Sequence, residues 1–474
     1  MTTCSSYPAR CGLAVLSGAA YAMAYPPLGW GWLVIPGLAG LLVALHGQSG
    51  TRARAIGFLH GLVAYGLSLS WLLHVFDNMA VILWCVLAAF TALFAEMQGR
   101  AGLRGLSGWK FAIFTTLNWC GWEFIRAELF PLKFPWMTAG LAIGPNALLP
   151  WIGVYGIGTL VVLSATLLCM RKWKSAAVGL TALILAVLLF PKCPEPAAND
   201  PLAVKVAGVQ MENVSLTDYL KATREMAPSV PLVVWPEYAV PYDLRANKRD
   251  LALVQDLCRE RGITLTLGTQ FRPNGGDAWR NIALTLDPTG VRGEHTKVHP
   301  VHFFDDGIPG TTALPVLTTH GKIGTPICFD GDYEGVVRRM TVAGAELFVV
   351  PTMDAEKWSA RQHDQHAELF RLRACENGRW IFVVATSGVS QLIDPNGQVH
   401  ARLAALEQGT LSGTLRRETK LTFYTRLGWL VPWGVLALAA VWWLVLLLPG
   451  KREESPGGRA VVTAGLLNQC LKCR

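Results

Sequence analysis

Charge is what this chain has least of. Asp, Glu, Lys and Arg make up 16% of its 474 residues, against about 25% in soluble domains. The deficit is uneven. Residues 11–190 and 429–448 are largely apolar, while 200–420 reads as a soluble domain. A chain that is soluble throughout is thereby excluded. The formal net charge of +9 comes with no dense basic stripe and no nucleic-acid motif, so no nucleic-acid partner is expected. Basic loops facing anionic lipid account for part of it. Internal repeats and long low-complexity segments are absent. His295, His299, His302, His363 and His366 do not fall in a His-Glu-x-x-His helix pattern, and no metal or other cofactor is expected. Cysteine is sparse in 200–420, where only Cys258, Cys328 and Cys375 occur. An odd count leaves at least one thiol outside any pairing within that domain. Cys85, Cys120 and Cys169 lie in or beside apolar runs and read as small hydrophobes. The terminal Cys470-x-x-Cys473 has no second pair near it.

What is present in place of charge is a series of apolar segments, near 11–27, 29–46, 55–76, 79–97, 111–129, 151–170, 175–190 and 429–448. Several are close to the lower length limit for crossing about 30 Å of hydrocarbon. Pro26, Pro27 and Gly29 place a tight hairpin between the first two. Residues 134–150 carry Pro135, Gly144, Pro145 and Pro150 and are expected to form an interfacial or re-entrant loop. Counting them as a ninth span would put the chain ends on opposite sides. Charge placement favours eight spans. Arg10, the pair Arg52 and Arg54, the group Arg100, Arg104 and Lys110, the group Arg171, Lys172 and Lys174, and the pair Lys451 and Arg452 then share one side. The loop after the third span offers only Asp77. By the positive-inside rule both termini are cytoplasmic. The first segment runs at once into another apolar run, unlike a cleaved signal peptide. Glu96, Glu123 and Glu128 fall near span ends, where interfacial contact is expected. The expected organisation is a membrane domain over 1–191 with seven transmembrane helices and a linker over 192–201. An extracytoplasmic domain over 202–420, an eighth transmembrane helix over 429–448 and a cytoplasmic tail over 449–474 complete it.

Within 202–420, short apolar strands alternate with helices. Strands are expected at 202–210, 231–235, 263–268, 280–286, 323–328, 346–350, 381–385, 389–393 and 410–415, and helices at 215–227, 247–261, 332–343 and 361–377. Asp287-Pro288-Thr289-Gly290 is a turn signal. The pattern predicts an α/β sandwich of mixed sheets, with residues at strand ends gathered into one cleft.

Three such residues have complementary chemistry. Glu237 closes Leu-Val-Val-Trp-Pro-Glu, Lys297 sits in Gly-Glu-His-Thr-Lys, and Cys328 sits in Gly-Thr-Pro-Ile-Cys-Phe-Asp. A free thiol has a pKa near 8.5, so an attacking cysteine needs a base or a cationic neighbour. Glu237 is the candidate base, its carboxyl pKa raised by burial beside Trp235 and Pro236. Lys297 and the backbone N–H of Phe329 are candidate donors to an oxyanion. Attack on an ester or amide leaves a thioester, which an amine or water resolves. Taken singly, each residue has a plainer reading: a helix cap, a solvated charge, an inert buried thiol. Their order and their strand-end positions point to catalysis.

Leu232–Pro241, Asn281–Gly290 followed by Lys297, Gln365-His366, Arg371–Arg379 and Ile393–Gly397 together resemble the corresponding segments of apolipoprotein N-acyltransferases, and the resemblance covers nearly the whole chain. It implies a polytopic α-helical membrane domain joined to a nitrilase-like α-β-β-α sandwich. It also implies an activity: an acyl chain passes from the sn-1 position of a phospholipid, typically phosphatidylethanolamine, to a thioester on Cys328. From there it passes to the α-amino group of the lipid-modified N-terminal cysteine of an apolipoprotein. By the same resemblance Glu237 is the base and Lys297 the oxyanion stabiliser. The implied setting is the bacterial inner membrane, with the catalytic domain on the periplasmic face and the protein a monomer. This chain departs from the family at Cys328-Phe329-Asp330, where Cys-Tyr-Glu is usual. It departs again at His302–Asp305, where Asp305 takes the place of a supporting glutamate with Asp306 competing, and at Thr352–Trp358. Asp305, Phe329 and Asp330 are therefore the expected supporting residues. Trp235, Phe303, Phe304, Tyr333 and Trp358 are candidate acyl or lid contacts. The alternatives are a membrane-tethered amidase or hydrolase and a catalytically impaired lipid- or lipoprotein-binding homologue.

Overall fold

The computed structural model describes residues 6–448 apart from 192, 198, 274 and 275. Cys470, Cys473, Lys451, Arg452 and the expected tail lie outside the described residues. The first part of the chain is helical: α1 (Tyr7–Met23), α2 (Val34–Leu45), α3 (Gly50–Ser68), α4 (Leu72–Phe76), α5 (Met79–Leu103), α6 (Gly108–Phe124), α7 (Leu149–Cys169) and α8 (Trp173–Leu188). Three stretches, Met79–Leu103, Leu149–Cys169 and Gly428–Leu447, are long and apolar enough to cross a membrane. The last of these exposes Leu438, Val441 and Leu444. A helix that is apolar on every side yet largely uncovered by protein belongs in lipid. The helices pack through small residues. On α3, a Cβ at Gly57 would sit 2.5 Å from the Thr91 carbonyl oxygen of α5, and one at Gly61 would sit 2.1 Å from the Thr91 hydroxyl. This small-xxx-small spacing lets two backbones approach where lipid supplies no hydrophobic drive.

The third apolar run does not continue unbroken to 76. It divides at Leu69–Trp71 into α3 and α4, because carbonyls there bond outside the helix: Leu67 accepts from Arg361 at 2.7 Å and Ser68 from Gln365 at 3.0 Å. The fifth run is α-helical to Phe124 and then widens into a π-helical turn over Ile125–Leu129. Residues 130–148 hold a 3-10 turn at Leu141–Ile143 and no α-helix.

The second part contains β1 (Ala203–Gln210), α9 (Leu216–Glu225), β2 (Leu232–Val234), β3 (Val240–Asp243), α10 (Lys248–Arg261), β4 (Thr264–Phe271), β5 (Arg280–Asp287) and β6 (Gly290–Thr296). It continues with β7 (Val316–Thr318), β8 (Gly321–Gly324), α11 (Glu334–Val342), β9 (Leu347–Thr352), α12 (Ala360–Asn377), β10 (Ile381–Ala385), β11 (Ser390–Ile393), β12 (Val399–Leu403) and β13 (Gly409–Arg416), before α13 (Phe423–Arg426) and α14 (Val431–Leu447). One sheet runs β13-β1-β2-β4-β5-β6 with β3 on β4; the other runs β12-β11-β10-β9-β8-β7. Alternation along the strands divides the burial. Val204, Val206, Leu232 and Val234 meet Leu347, Val349, Phe382 and Val384 between the sheets. Val209, Val233 and Leu265 pack with Tyr219 of α9 and Leu257 of α10, and Phe348, Val350 and Val383 with Val337 of α11 and Phe370 of α12. The result is a four-layer α-β-β-α sandwich, the nitrilase-like arrangement. Strands β3, β6, β7 and β12 add to those expected. β6 and β12 are polar enough to lack the apolar signal, and β3 and β7 are short.

Helix α12 joins the sandwich to the membrane helices. Gln365 donates to the carbonyls of Pro26 and Ser68 at 2.8 and 3.0 Å and accepts from the Trp71 indole at 3.0 Å. Glu376 accepts from the Val154 N–H of α7 at 2.8 Å. His366 lies between two buried carboxylates, Asp354 at 2.8 Å and Asp332 at 3.1 Å, and Trp136 donates to Asp332 at 2.6 Å while stacking on the imidazole. Burial opposes charging of His366, but Asp354 and then Asp332 outweigh it and raise its pKa from 6.5 to about 10. A raised folded-state pKa contributes stability that is full below the unfolded value and lost as pH climbs through the folded one. Thermal unfolding in detergent is therefore expected to show a midpoint that falls between pH 6.5 and pH 10, with a shallower slope in His366→Gln. Equal slopes would contradict this assignment.

Candidate active site

Glu237, Lys297 and Cys328 converge from three separate chain segments. Glu237 lies just past β2 and Lys297 immediately after β6. Gly268 of β4 makes room for the first: a Cβ there would sit 2.4 Å from the Glu237 Cα. Cys328 was expected to end a strand. Instead β8 stops at Gly324, and the thiol begins a 3-10 turn over Cys328–Gly331. Pro326 has no N–H to extend the ladder. Cys328 itself has φ +47°, a left-handed backbone that is uncommon outside glycine and typical of strained functional turns.

The Lys297 ammonium is buried between two carboxylates, 2.8 Å from Glu237 Oε1 and 2.7 Å from Asp306 Oδ2. Asn281 of β5 donates to Glu237 at 2.6 Å and to Asp306 at 2.8 Å. The Met353 peptide joins base and thiol: its N–H donates to Glu237 Oε2 at 2.9 Å, and its carbonyl stands 3.5 Å from Cys328 Sγ. Among the described residues the Phe329 N–H has no acceptor, as a free oxyanion donor requires.

The two acids beside the lysine differ. Burial raises the Glu237 pKa, and Lys297 only partly offsets it, with Asp306 adding to the rise. Burial also opposes ionisation of Asp306, but Lys297, Tyr238 and the Val301 N–H outweigh it and hold that carboxyl below its usual range. For Lys297, Glu237 and Asp306 overcome the burial penalty and keep it protonated. The Cys328 thiol is pushed up by burial and then by Glu237, with Lys297 pulling the other way. Asp306 thus fixes the ammonium, leaving Glu237 the carboxylate more ready to take a proton.

Asp305, expected to support the lysine, does not reach it. It is exposed and accepts from the Trp279 indole at 3.2 Å. The loop after Lys297 is pinned by a bridge between Gly307 and Arg280 and by the Gly310 N–H to the Lys297 carbonyl at 2.7 Å, and that register turns Asp306 inward. Asp330 is fully buried and accepts from His295, at 3.0 Å, and from the N–H groups of Val298 and His299, at 2.9 and 2.8 Å. It ties the cysteine turn to the lysine loop. Burial opposes its ionisation, but the His295 and His299 imidazoles outweigh that and hold its pKa below the usual carboxylate range.

Two cavities meet at Cys328. One, of about 530 Å³, is lined by Glu237, Tyr238, Trp279, Lys297 and Asp305 and opens on the sandwich side. The other, of about 110 Å³, is lined by Trp71, Phe76, Leu87, Phe134 and Trp136 of the helical part with Phe303, Phe304 and Phe329. Phe304 and Trp358 line both and stand 5.7 Å apart, while Phe76 of α4 contacts Phe303 and Phe304. Two expected contacts are placed elsewhere. Trp235 is core, stacked on Tyr219 with its indole bonded to Thr223 at 2.9 Å, and Tyr333 is buried with its hydroxyl on the Lys133 carbonyl at 3.0 Å. Asn281, Asp306 and Met353 were not singled out in the sequence as principal site residues. An asparagine inside an otherwise apolar strand was the available signal for the first; a backbone contact such as that of Met353 leaves none.

These electrostatics are testable on the thiol. The pH midpoint of iodoacetamide labelling at Cys328 is expected to rise in Lys297→Met and to fall in Glu237→Gln, read by peptide mass spectrometry. Shifts in the same direction in both variants would contradict the opposed effects of the two charges.

Comparison with known proteins follows the same division of the chain. The family described as "Apolipoprotein N-acyltransferase N-terminal domain" matches residues 17–167, and "Carbon-nitrogen hydrolase" matches residues 204–420. The apolipoprotein N-acyltransferase of Geobacter metallireducens is 28% identical over 90% of this chain and 94% of its own length. That of Azotobacter vinelandii is 28% identical over 95% of this chain and 97% of its own. Among solved structures, an amidase from Nesterenkonia sp. matches with 22% identity and a TM-score of 0.40, covering 47% of this chain and 92% of its own. With the apolipoprotein N-acyltransferase N-terminal domain matched over the membrane helices, the carbon-nitrogen hydrolase domain matched over the sandwich, and relatives that align along nearly their full length, the chain is similar throughout to apolipoprotein N-acyltransferases.

Proposed function

We propose that this protein transfers a fatty acyl chain from a membrane phospholipid, through a thioester on Cys328, to the α-amino group of the N-terminal cysteine of a diacylated apolipoprotein. The observation that carries this reading is the apolar cavity that brings membrane-helix side chains to the thiol. A nucleophile meant for soluble amides has no use for a wall built from Phe76, Leu87 and Phe134.

The residues divide the work as follows. Cys328 Sγ attacks the ester carbonyl while Glu237 takes the thiol proton. The oxyanion faces the Lys297 ammonium and the Phe329 N–H. Collapse breaks the carbon–oxygen bond, and the lysolipid leaves with the proton from Glu237. The acceptor amine then attacks the thioester, Glu237 takes its proton, and the thiolate leaves and recovers it. Met353 holds the base and thiol in one frame, and Asp306 keeps Lys297 charged at each stage. Phosphatidylethanolamine is the expected donor. The larger cavity, which holds Glu237, Tyr238 and Asp305, is also open to water, which favours the hydrolase alternative enough to test.

The orientation belongs to this proposal. The sandwich touches the chain at or beyond the C-terminal ends of α1, α3 and α6, through Pro26, Ser68 and Trp136. Arg171 lines a separate cavity with Ser49, Gly102 and Ser107 at the ends of the intervening helices. The basic loops and the sandwich therefore occupy opposite ends of the bundle, which supports a sandwich outside the cytoplasm.

Purified protein given phosphatidylethanolamine and a diacylated lipopeptide is expected to form N-acylated peptide, read by mass spectrometry. Cys328→Ala should lose about a thousandfold or more of that rate. Free fatty acid released equally fast with and without peptide would overturn transfer in favour of hydrolysis. Asp306→Asn is expected to slow the reaction about a hundredfold, since it removes a buried ion-pair partner, while Asp305→Asn stays within about threefold, as expected for an exposed site. Equal effects would contradict the role assigned to Asp306.

A further inference from the structure

One charged side chain at the apolar cavity has no part in the chemistry above. Lys133, in the loop between α6 and α7, lines that cavity together with Cys328, Phe329 and His302. Its carbonyl is held by the Tyr333 hydroxyl at 3.0 Å, and its ammonium stands 4.6 Å from the centroid of the same ring. Tyr333 in turn packs edge-on against Phe329, next to the thiol, at 5.2 Å. Lys133 is thus fixed at both ends to one aromatic side chain beside the nucleophile. Among the described residues, Lys221 and Lys297 are the lysines paired with carboxylates; Lys133 has no such partner. It is half-buried, and loss of hydration lowers its pKa despite the attraction of nearby carboxylates. The His302 Nε2 on the same cavity is buried and unpartnered. A partly dehydrated ammonium and an unfilled imidazole nitrogen, set in a wall of Phe76, Leu87 and Phe134, fit an anion that carries a hydrocarbon chain.

We propose that Lys133, with His302, binds the phosphodiester of the lipid donor and so decides which ester reaches Cys328. The proposal rests on the reading of Cys328 as the acyl-accepting thiol. In a glycerophospholipid only the glycerol backbone separates the phosphodiester from the sn-1 ester, so one small cavity lined by both Cys328 and Lys133 suits the two groups together. An ammonium serves as a point charge for a phosphate oxygen without demanding the planar geometry of a guanidinium. A neutral lipid ester offers it nothing and leaves the charge unpaired.

The test uses the full-length protein in detergent with two acyl donors. One is phosphatidylethanolamine; the other is the p-nitrophenyl ester of the same fatty acid, which has no phosphate. Acylation of Cys328 is followed by intact mass. Lys133→Met keeps the stem over Tyr333 and removes the charge. It is expected to raise the half-saturating phosphatidylethanolamine concentration about tenfold or more, as for loss of a charge-assisted hydrogen bond. With the nitrophenyl ester the same variant should stay within about twofold. Lys133→Arg should recover most of the phospholipid affinity. Equal loss with both donors, or no change with the phospholipid, overturns the proposal and leaves the thioester reading intact. A wild-type protein that accepts the nitrophenyl ester but not the phospholipid also overturns it. A wild type acylated by neither overturns the underlying reading as well.

Discussion

The Lys297 ammonium, buried between Glu237 and Asp306, is the interaction on which the rest of the site depends. An isolated charge in such a place costs far more than folding can supply, and breaking a buried pair from one side typically costs about 3–5 kcal/mol. The lysine therefore needs both acids, and the acids need the chain segments that deliver them. Glu237 arrives because β2 lies beside β4 and Gly268 lets the backbones close. Asp306 arrives because its loop is pinned back to β5 at Gly307. Asn281 donates to both carboxylates, so the group behaves as one unit in which a single change exposes several unpaired atoms.

The same logic links the site to the membrane helices. Asp332, one turn along from Cys328, meets His366, and His366 meets Asp354, whose neighbour Met353 bonds Glu237. Trp136 completes the chain from the helical side. The apolar cavity is built across this seam, with walls from both parts. A sandwich separated from its helices would keep the lysine and its acids but lose much of the surface that a lipid chain needs. On the proposed reading, the pairing of the two parts in one polypeptide has a direct physical role, because the apolar pocket exists only across their seam.

Much of this was legible in the sequence, and unevenly so. Long apolar runs and regular basic loops announced the membrane part, and strand–helix alternation announced the sandwich. Glu237, Lys297 and Cys328 stood out because their residue types are unusual at strand ends. What the sequence could not convey was parity and backbone. Asp305 and Asp306 are chemically identical neighbours, and only the anchoring of Gly307 decides which one turns inward. Trp235 looks like a cleft aromatic beside Glu237, but it continues the Val233 face of β2 into the core under α9, and the strand ends before Glu237 is reached. The break after α3 arises from side chains almost 300 positions later in the chain, in a carbonyl contest with Arg361 and Gln365. Met353 acts through its peptide group, which any residue possesses.

In the proposed reaction the acyl chain pauses on Cys328 and leaves it for an amine. The most direct measurement is rapid-quench intact mass of the full-length protein, first with phospholipid alone and then after adding diacylated lipopeptide. An adduct of one fatty acyl chain on Cys328 is expected, and it persists without acceptor. Its decay on adding peptide should match the appearance of N-acylated peptide. Product forming with no adduct, or an adduct that decays at the same rate whether or not peptide is present, would contradict the proposed reaction.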